Sequence, residues 1–269
     1  RAETDPLLAQ YIAQLLAEAD LLLEKAPLER KQRGRRLLHV SRAALHRIST
    51  WAMVRHLTGE RRYAERAEQE MLQIVQFRDW NPSHFLDVAE MSAALAIGYD
   101  WLHADLDAGA RKRIREGLIR HGLQVAVEHI RDDAWWATRD INWNQVCLGG
   151  LTMGALAVAD EAPELAGELL RAARSGIVNG LSVYAPDGVY PEGPGYWSYG
   201  TVYQCMMIDA LRSALGTSWG MEETPGFLQS ARAQVQLTGP TGRFFNFADG
   251  GEGPSLQVPL FWFARELEA

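Results

Sequence analysis

The chain has 269 residues, enough for one large domain or two small ones, with 47% hydrophobic residues to build a core and 23% charged residues to cover it. Its net charge is −7 and no Lys/Arg run is long enough to serve as a nucleic-acid arm, so no nucleic-acid partner is expected; no apolar stretch reaches the length of a membrane span, so no membrane partner is expected either. The two cysteines, Cys147 and Cys205, form neither a disulfide framework nor a metal-ligand spacing, and both fall in apolar helical pattern as small buried residues.

Pro6 marks a first helix start, followed by Leu7, Leu8, Tyr11, Ile12, Leu15 and Leu16 at helical spacing. The basic cluster Arg30, Lys31, Arg33, Arg35 and Arg36 then reads as a solvated inter-helix loop. A second helix runs through Leu37, Val40, Ala44, Ile48 and Trp51 and stops near Gly59; a third covers Tyr63 to Phe77. Pro82 and Ser83 open a fourth, which carries Phe85, Val88, Ala89 and Tyr99. Residues Ala108 to Ile130 predict an amphipathic fifth helix. Trp143 to Ala159 predicts a sixth that is apolar nearly all round and therefore buried. Glu164 to Tyr184, Tyr196 to Leu215 and Pro225 to Leu237 predict three more. Beyond Leu237 the Gly- and aromatic-rich LTGPTGRFFNFADGGEGPS has room for a short hairpin, and PLFWFARELEA reads as a last helix.

Helices of similar length, joined in pairs by short loops and without strand alternation before Arg243, predict an all-α single domain of antiparallel hairpins, in the manner of an incomplete α/α toroid. Three loops are rich in polar and aromatic residues: WNPSHFLDVAE, RDINWNQ and DGVYPEGPGY. Each precedes an apolar helix, so all three are expected at helix N-termini on one face, where free N–H groups and positive potential suit a carboxylated ligand.

The densest of these segments is DGVYPEGPGYWSYGTVY, with Tyr190, Tyr196, Tyr199, Tyr203 and Trp197 around one loop-to-helix junction. Aromatic rings stack on sugar faces, and acids and hydroxyls serve sugar hydroxyls and glycosidic oxygens. The other reading is a glycine-rich turn before an aromatic-capped core helix. His84, Asp87 and Glu90 share a helix face at three-residue spacing. His84 is read as a substrate or structural hydrogen-bonding residue, because HFLDVAE lacks the second histidine of a zinc-protease pattern. The remaining histidines read as surface or interface residues. No metal, nucleotide or haem site is expected, and no cofactor.

Taken together, WNPSHFLDVAEMSAALAIGYDWL, NWNQVCLGGLTMGALAVADE and PDGVYPEGPGYWSYG, with FNFADGG near the end, resemble the helical domain of heparinase II/III-like polysaccharide lyases, including the alginate-degrading relatives, over roughly residues 35 to 265. The resemblance implies β-elimination on a uronic-acid polysaccharide or oligosaccharide. The C6 carboxylate is neutralised, the C5 proton is abstracted and the C4 oxygen is protonated as it leaves. It matches Asn142 to the carboxylate-neutralising position and Tyr196 to the catalytic acid/base, 54 residues apart (196 − 142). Many relatives carry histidine where this chain has Asn142. An asparagine amide donates to a carboxylate and to the charge that builds in an enolate-like transition state, and it is equally a favoured helix N-cap. A phenol is a poor base at neutral pH and needs a nearby cation, for which Arg139 and His84 are the available types.

Asn144 and Gln145 are the alternatives to Asn142, and Tyr199 is the rival of Tyr196. Tyr190, Glu192 and Trp197 are expected sugar contacts or supports, with capping as the other reading of Glu192; Asp249 either orients a groove residue or caps a turn. Two further functions fit an α/α scaffold: a glycoside hydrolase drawing a carboxylate pair from Asp87, Asp187, Glu192 and Asp249, and a non-catalytic glycan-binding protein. The resemblance places the protein in the periplasm or outside the cell. The chain starts at Arg1 without an initiator Met or a signal peptide, which reads as a processed piece, and the relatives' C-terminal β-sheet domain is expected to be missing, leaving the chain weak or inactive alone.

Overall fold

The computed structural model describes residues 5–245, 247–251, 253 and 256–267. Asn246, Glu252, Pro254, Ser255, Glu268 and Ala269, which belong to the C-terminal hairpin and helix readings, lie outside the described residues. The fold is all-α, and no named strand occurs among the described residues. The expected C-terminal hairpin is reduced to one isolated bridge, Thr238 to Phe244. The chain divides into two compact units, Arg1–Val125 and Ala126–Ala269.

In the first unit, α1 (Pro6–Leu23) begins where Asp5 accepts from the N–H groups of Leu7 and Leu8 at 3.0 and 3.1 Å, with Pro6 in the first turn. α2 (Leu38–Thr58) stops at Gly59, and α3 (Arg61–Ile74) follows at once. The next helix, α4 (Leu86–Trp101), starts later than Pro82 suggests. Asn81 has a left-handed backbone (φ 60°), its C=O accepts from the His84 N–H at 3.0 Å and its side chain accepts from Ser83, so residues 82–85 are turn. The predicted fifth helix is α5 (Ala108–Leu118), one π-helical turn at Ile119–Leu123 and α6 (Gln124–Arg131), which carries the chain into the second unit.

α4 packs on α2 and is buried from Leu86 to Ala96, polar residues included. Each fully buried carboxylate on α3 and α4 has donors, as burial of a charge requires. Glu70 accepts from Arg47, Arg66 and the Leu28 N–H. Asp87 accepts from the Leu37 N–H, from Asn81 and, at 3.2 Å, from His84. Glu90 accepts from Ser41 at 2.8 Å and Arg42 at 3.3 Å.

In the second unit a one-turn helix that the sequence reading missed, α7 (Trp135–Thr138), precedes α8 (Asn142–Ala157). α8 is the inner helix, buried from Asn144 to Ala155, between α9 (Pro163–Ser182) and α10 (Pro194–Leu215). Pro163 and Pro194 occupy first helical positions, where the missing N–H is no loss. α11 (Gln229–Gln236) is shorter than expected because residues 225–228 are turn. α12 (Pro259–Glu266) packs on α10, and there Phe263 stacks on Trp197.

Candidate functional site

The start of α8 is the focus of the second unit. Its N-cap is Ile141, whose side chain has no acceptor, so the first N–H groups of the helix need one from elsewhere. Glu192, in the loop before α10, supplies it. The Asn142 N–H donates to Glu192 Oε2 at 2.6 Å, and Asn142 Nδ2 donates to Oε1 at 2.8 Å. The positive end of the helix dipole favours a carboxylate at this point. Asn142 is therefore the first helical residue and not the cap, while Glu192 caps a helix other than the one it precedes. Asn142 is 2% exposed, and its Oδ1 is buried without a hydrogen-bond partner among the described residues. Nδ2 carries two hydrogens, and Glu192 engages one.

Glu192 is held in place from two sides. Gly193 has φ +90°, a backbone open to glycine, and a Cβ there would lie 2.8 Å from the Phe247 carbonyl oxygen, so the FADGG loop rests directly on it. Two residues before Glu192, Tyr190 is buried and donates its hydroxyl to Gln145 Oε1 at 2.9 Å. Gln145 Nε2 donates to the Tyr184 oxygen at 2.8 Å, and the Tyr184 and Thr201 hydroxyls are 2.7 Å apart. Burial pushes both phenols above their ordinary range, and for Tyr190 the neighbouring Tyr184 and Glu192 add to it. This chain fastens the loop, α8, the end of α9 and α10 to each other.

Tyr196 is half-buried in the first turn of α10, and no described residue hydrogen-bonds its hydroxyl. One turn further, Gly200 meets α8, where a Cβ would lie 2.5 Å from Gln145 Oε1 and 3.3 Å from Asn142 Cβ. Positions four apart share a helix face, so Tyr196 stands on the stripe of α10 that reaches Asn142, one turn nearer the loop. Tyr199 is half-buried, with its ring edge-on to Tyr203 at 5.9 Å.

Several expected contacts have internal roles instead. Trp197 is 1% exposed and stacked on Phe263 at 6.0 Å, so no sugar reaches its face. Asn144 is fully buried. Its amide donates to the carbonyls of Ala137 (2.9 Å) and Gly176 (3.1 Å) and accepts from the Gly180 N–H, which ties α7 and α9 to α8. Gln145 and Tyr190 are equally enclosed, so the three support the site from beneath. Arg139 is exposed, with no ion pair to a described residue. Asp187 is exposed and accepts from the Val189 N–H at 3.1 Å within its own turn, and Asp249 is exposed. His84, Asp87 and Glu90 belong to the first unit, where Asp87 and Glu90 serve the buried network at the start of α4.

One feature went unread in the sequence. Trp135, 49% exposed on α7, and Trp143, half-buried in the first turn of α8, have ring centroids 4.8 Å apart at 45°. Trp143 directly follows Asn142. The eight-residue interval between the two tryptophans was the available signal; it becomes visible only once α7 folds back before α8.

Among the described residues, no group of three or more His, Cys, Asp or Glu is placed to hold a metal ion, and no helix is long and apolar enough to cross a membrane. Both cysteines are buried, and no disulfide joins them. A scan against protein-family models gives no match to this chain, and a search of the curated proteins gives none either.

Proposed function

We propose that the second unit carries the catalytic residues of a lyase that cleaves a uronic-acid polysaccharide by β-elimination, in the manner of the heparinase II/III-like enzymes that the sequence resembles. The observation that carries this reading is the pairing of Asn142, anchored by Glu192 and left with an unpaired amide oxygen, with a phenol one turn away from the same helix crossing. Asn142 is enclosed, at 2% exposure and with Oδ1 buried, so donation of its second amide hydrogen to the uronate carboxylate requires the loop that carries Glu192 to move aside. Donation to the carboxylate lets charge delocalise there as the C5 proton leaves.

Tyr196 is assigned the proton transfers. As phenolate it takes the C5 proton; the C5–H electron pair forms the C4=C5 double bond; the C4–O bond breaks; and the phenol returns the same proton to the departing oxygen. Arg139, exposed and without an ion-pair partner among the described residues, is the cation of this unit suited to a neighbouring uronate. The Trp135–Trp143 pair offers a ring face for stacking. The hydrolase reading has less support, because Glu192 is committed to Asn142, Asp187 to its own turn and Asp87 to a buried network in the first unit.

Incubation with alginate, heparan-type and other uronate polymers tests the proposal. Ultraviolet absorbance of unsaturated ends on at least one, even weak, supports it, and Tyr196→Phe should lose about 10²- to 10⁴-fold in rate with binding retained. New reducing ends without that absorbance would assign a hydrolase, and binding without any cleavage a lectin-like protein.

A further inference from the structure

The loop between α1 and α2, residues 24–37, concentrates cations in a protein whose net charge is −7. Its backbone is tied to the helices on either side of the Lys31–Gly34 stretch. The Lys25 carbonyl accepts from Arg66 at 3.0 Å and the Ala26 carbonyl from Arg47 at 2.9 Å; the Leu28 N–H donates to Glu70 at 2.8 Å. Further on, the Arg35 carbonyl accepts from Asn81 at 2.8 Å, and the Leu37 N–H donates to Asp87 at 2.7 Å. Arg30 holds Asp79, and Gln32 donates to Asn81 at 2.8 Å.

On this anchored loop stand four exposed cations, Lys31, Arg33, Arg35 and Arg36. No salt bridge or side-chain hydrogen bond joins any of them to a described residue. Elsewhere in the same unit Arg30, Arg42, Arg47, Arg55, Arg62 and Arg66 each have a carboxylate partner. Arg33 and Arg36, moreover, exchange both N–H···O bonds, at 2.9 and 3.2 Å, around the turn at Gly34. Residues paired in this way project their side chains to the same side, and like charges directly opposite destabilise. The positive field is also felt by the imidazole of His39. Burial holds His39 below its ordinary range, and Arg33 and Lys31 push the same way against Asp87.

A self-repelling pair of guanidiniums, with two more cations beside it on a loop anchored on both sides, is a surface that an anionic chain would stabilise. We propose that the Lys31–Arg36 hairpin is a binding point for a carboxylated or sulfated polysaccharide, whose anionic groups the guanidinium forks grip in pairs. The choice of a glycan over another polyanion rests on the lyase reading of the second unit.

The test is titration of the full chain with alginate and heparin oligosaccharides, with single-stranded DNA and phosphatidylserine vesicles as competing polyanions. Replacement of Lys31, Arg33, Arg35 and Arg36 by Gln should weaken glycan binding at least ~10-fold and flatten its dependence on salt, because fewer counterions are released. The double variant Arg33→Gln/Arg36→Gln guards against misfolding as an explanation. It should melt at or above the wild-type temperature without ligand and show a smaller rise in Tm when heparin is added. Glycan affinity unchanged in the quadruple variant, no glycan binding by the wild type, or a preference for DNA or vesicles that the variant abolishes would each overturn the assignment. The titration reads binding and not turnover, so polymers that bind the hairpin without yielding unsaturated ends would sink the lyase reading and leave this one standing.

Discussion

Residues of the same chemical type hold opposite jobs here. Trp197 and Trp135 are both tryptophans beside the start of a site helix, yet one is in the core and the other 49% exposed. Trp197→Ala should destabilise the protein by about 3–5 kcal/mol, whereas Trp135→Ala should leave stability within about 0.5 kcal/mol and weaken glycan binding. Paired thermal melts and oligosaccharide titrations separate the two; a stable Trp197→Ala protein would mean that the stack on Phe263 is not part of the core. Glu192 makes a third kind of contribution. Glu192→Gln keeps the volume but replaces one of the two acceptor oxygens by an amide donor, so one bond to Asn142 is lost. A fall of about 1–2 kcal/mol in unfolding free energy is expected, with kcat reduced more than KM is raised, because Asn142 is displaced and not removed. Urea unfolding and steady-state kinetics on the cleaved polymer read both effects, and wild-type values in both would dissociate the carboxylate from the site.

At the level of elements, the crossing of α8 and α10 rests on two glycines: Gly149, where a Cβ would lie 2.9 Å from the Tyr203 carbonyl oxygen, and Gly200. Alanine is the better helix former by ~1 kcal/mol, so Gly200→Ala would stabilise an isolated helix. In place, its Cβ would lie 2.5 Å from Gln145 Oε1, and that oxygen is not free to swing because Tyr190 holds it. Overpacking of this kind costs about 1–3 kcal/mol, which outweighs the propensity gain, so a net loss of Tm is expected; a gain would show that the two helices part easily. Helix boundaries were legible in the sequence where punctuation was local, as at Pro6 and Gly59; Pro163 and Pro194 went unread as helix starts, and the expected starts at Glu164 and Tyr196 fell one and two residues late. The inner position of α8 was legible from its unbroken apolar run. The late start of α4 was not, because it follows from the left-handed backbone of Asn81. The π-helical turn in the predicted fifth helix leaves the apolar rhythm nearly intact and so gives no signal. For the site, residue types and loop neighbourhoods could be read, but not which face each side chain takes. Tyr196 and Trp197 are adjacent in sequence, and a rotation of one residue on α10 decides that one is half-buried and the other enclosed. The bond from Asn142 to Glu192 spans 50 residues, beyond the reach of any local pattern.

Across the whole molecule, the acid limb of stability should draw on both units. In the first, burial alone would raise the Asp79 carboxyl, but hydrogen bonds from Arg30 and the Asn81 N–H outweigh it and hold the group below the usual carboxylate range. In the second, burial of Glu222 is likewise outweighed, by bonds from Ser218, its own N–H and Arg212. A carboxyl lowered on folding binds fewer protons in the native state. Its stabilisation is therefore complete above the ordinary carboxylate value and lost as pH falls through the native one. Asp79→Asn and Glu222→Gln should each remove ~0.2–1 kcal/mol near neutrality and nothing at the acid extreme; the two share no partner, so their effects should add. Denaturant unfolding at a series of pH values measures this, and acid limbs of unchanged slope would place the sensitivity elsewhere. The bond between Asn142 and Glu192 has a last consequence, for recombination. Any crossover between positions 142 and 192 would draw the two ends of the clamp from different parents. A chimera whose second parent lacks an acid at 192 would inherit a helix with its first N–H groups unanswered, even if every element in it were intact. Homologous shuffling of this protein should therefore recover folded progeny mainly when the whole interval from α8 to the start of α10 is inherited as one block.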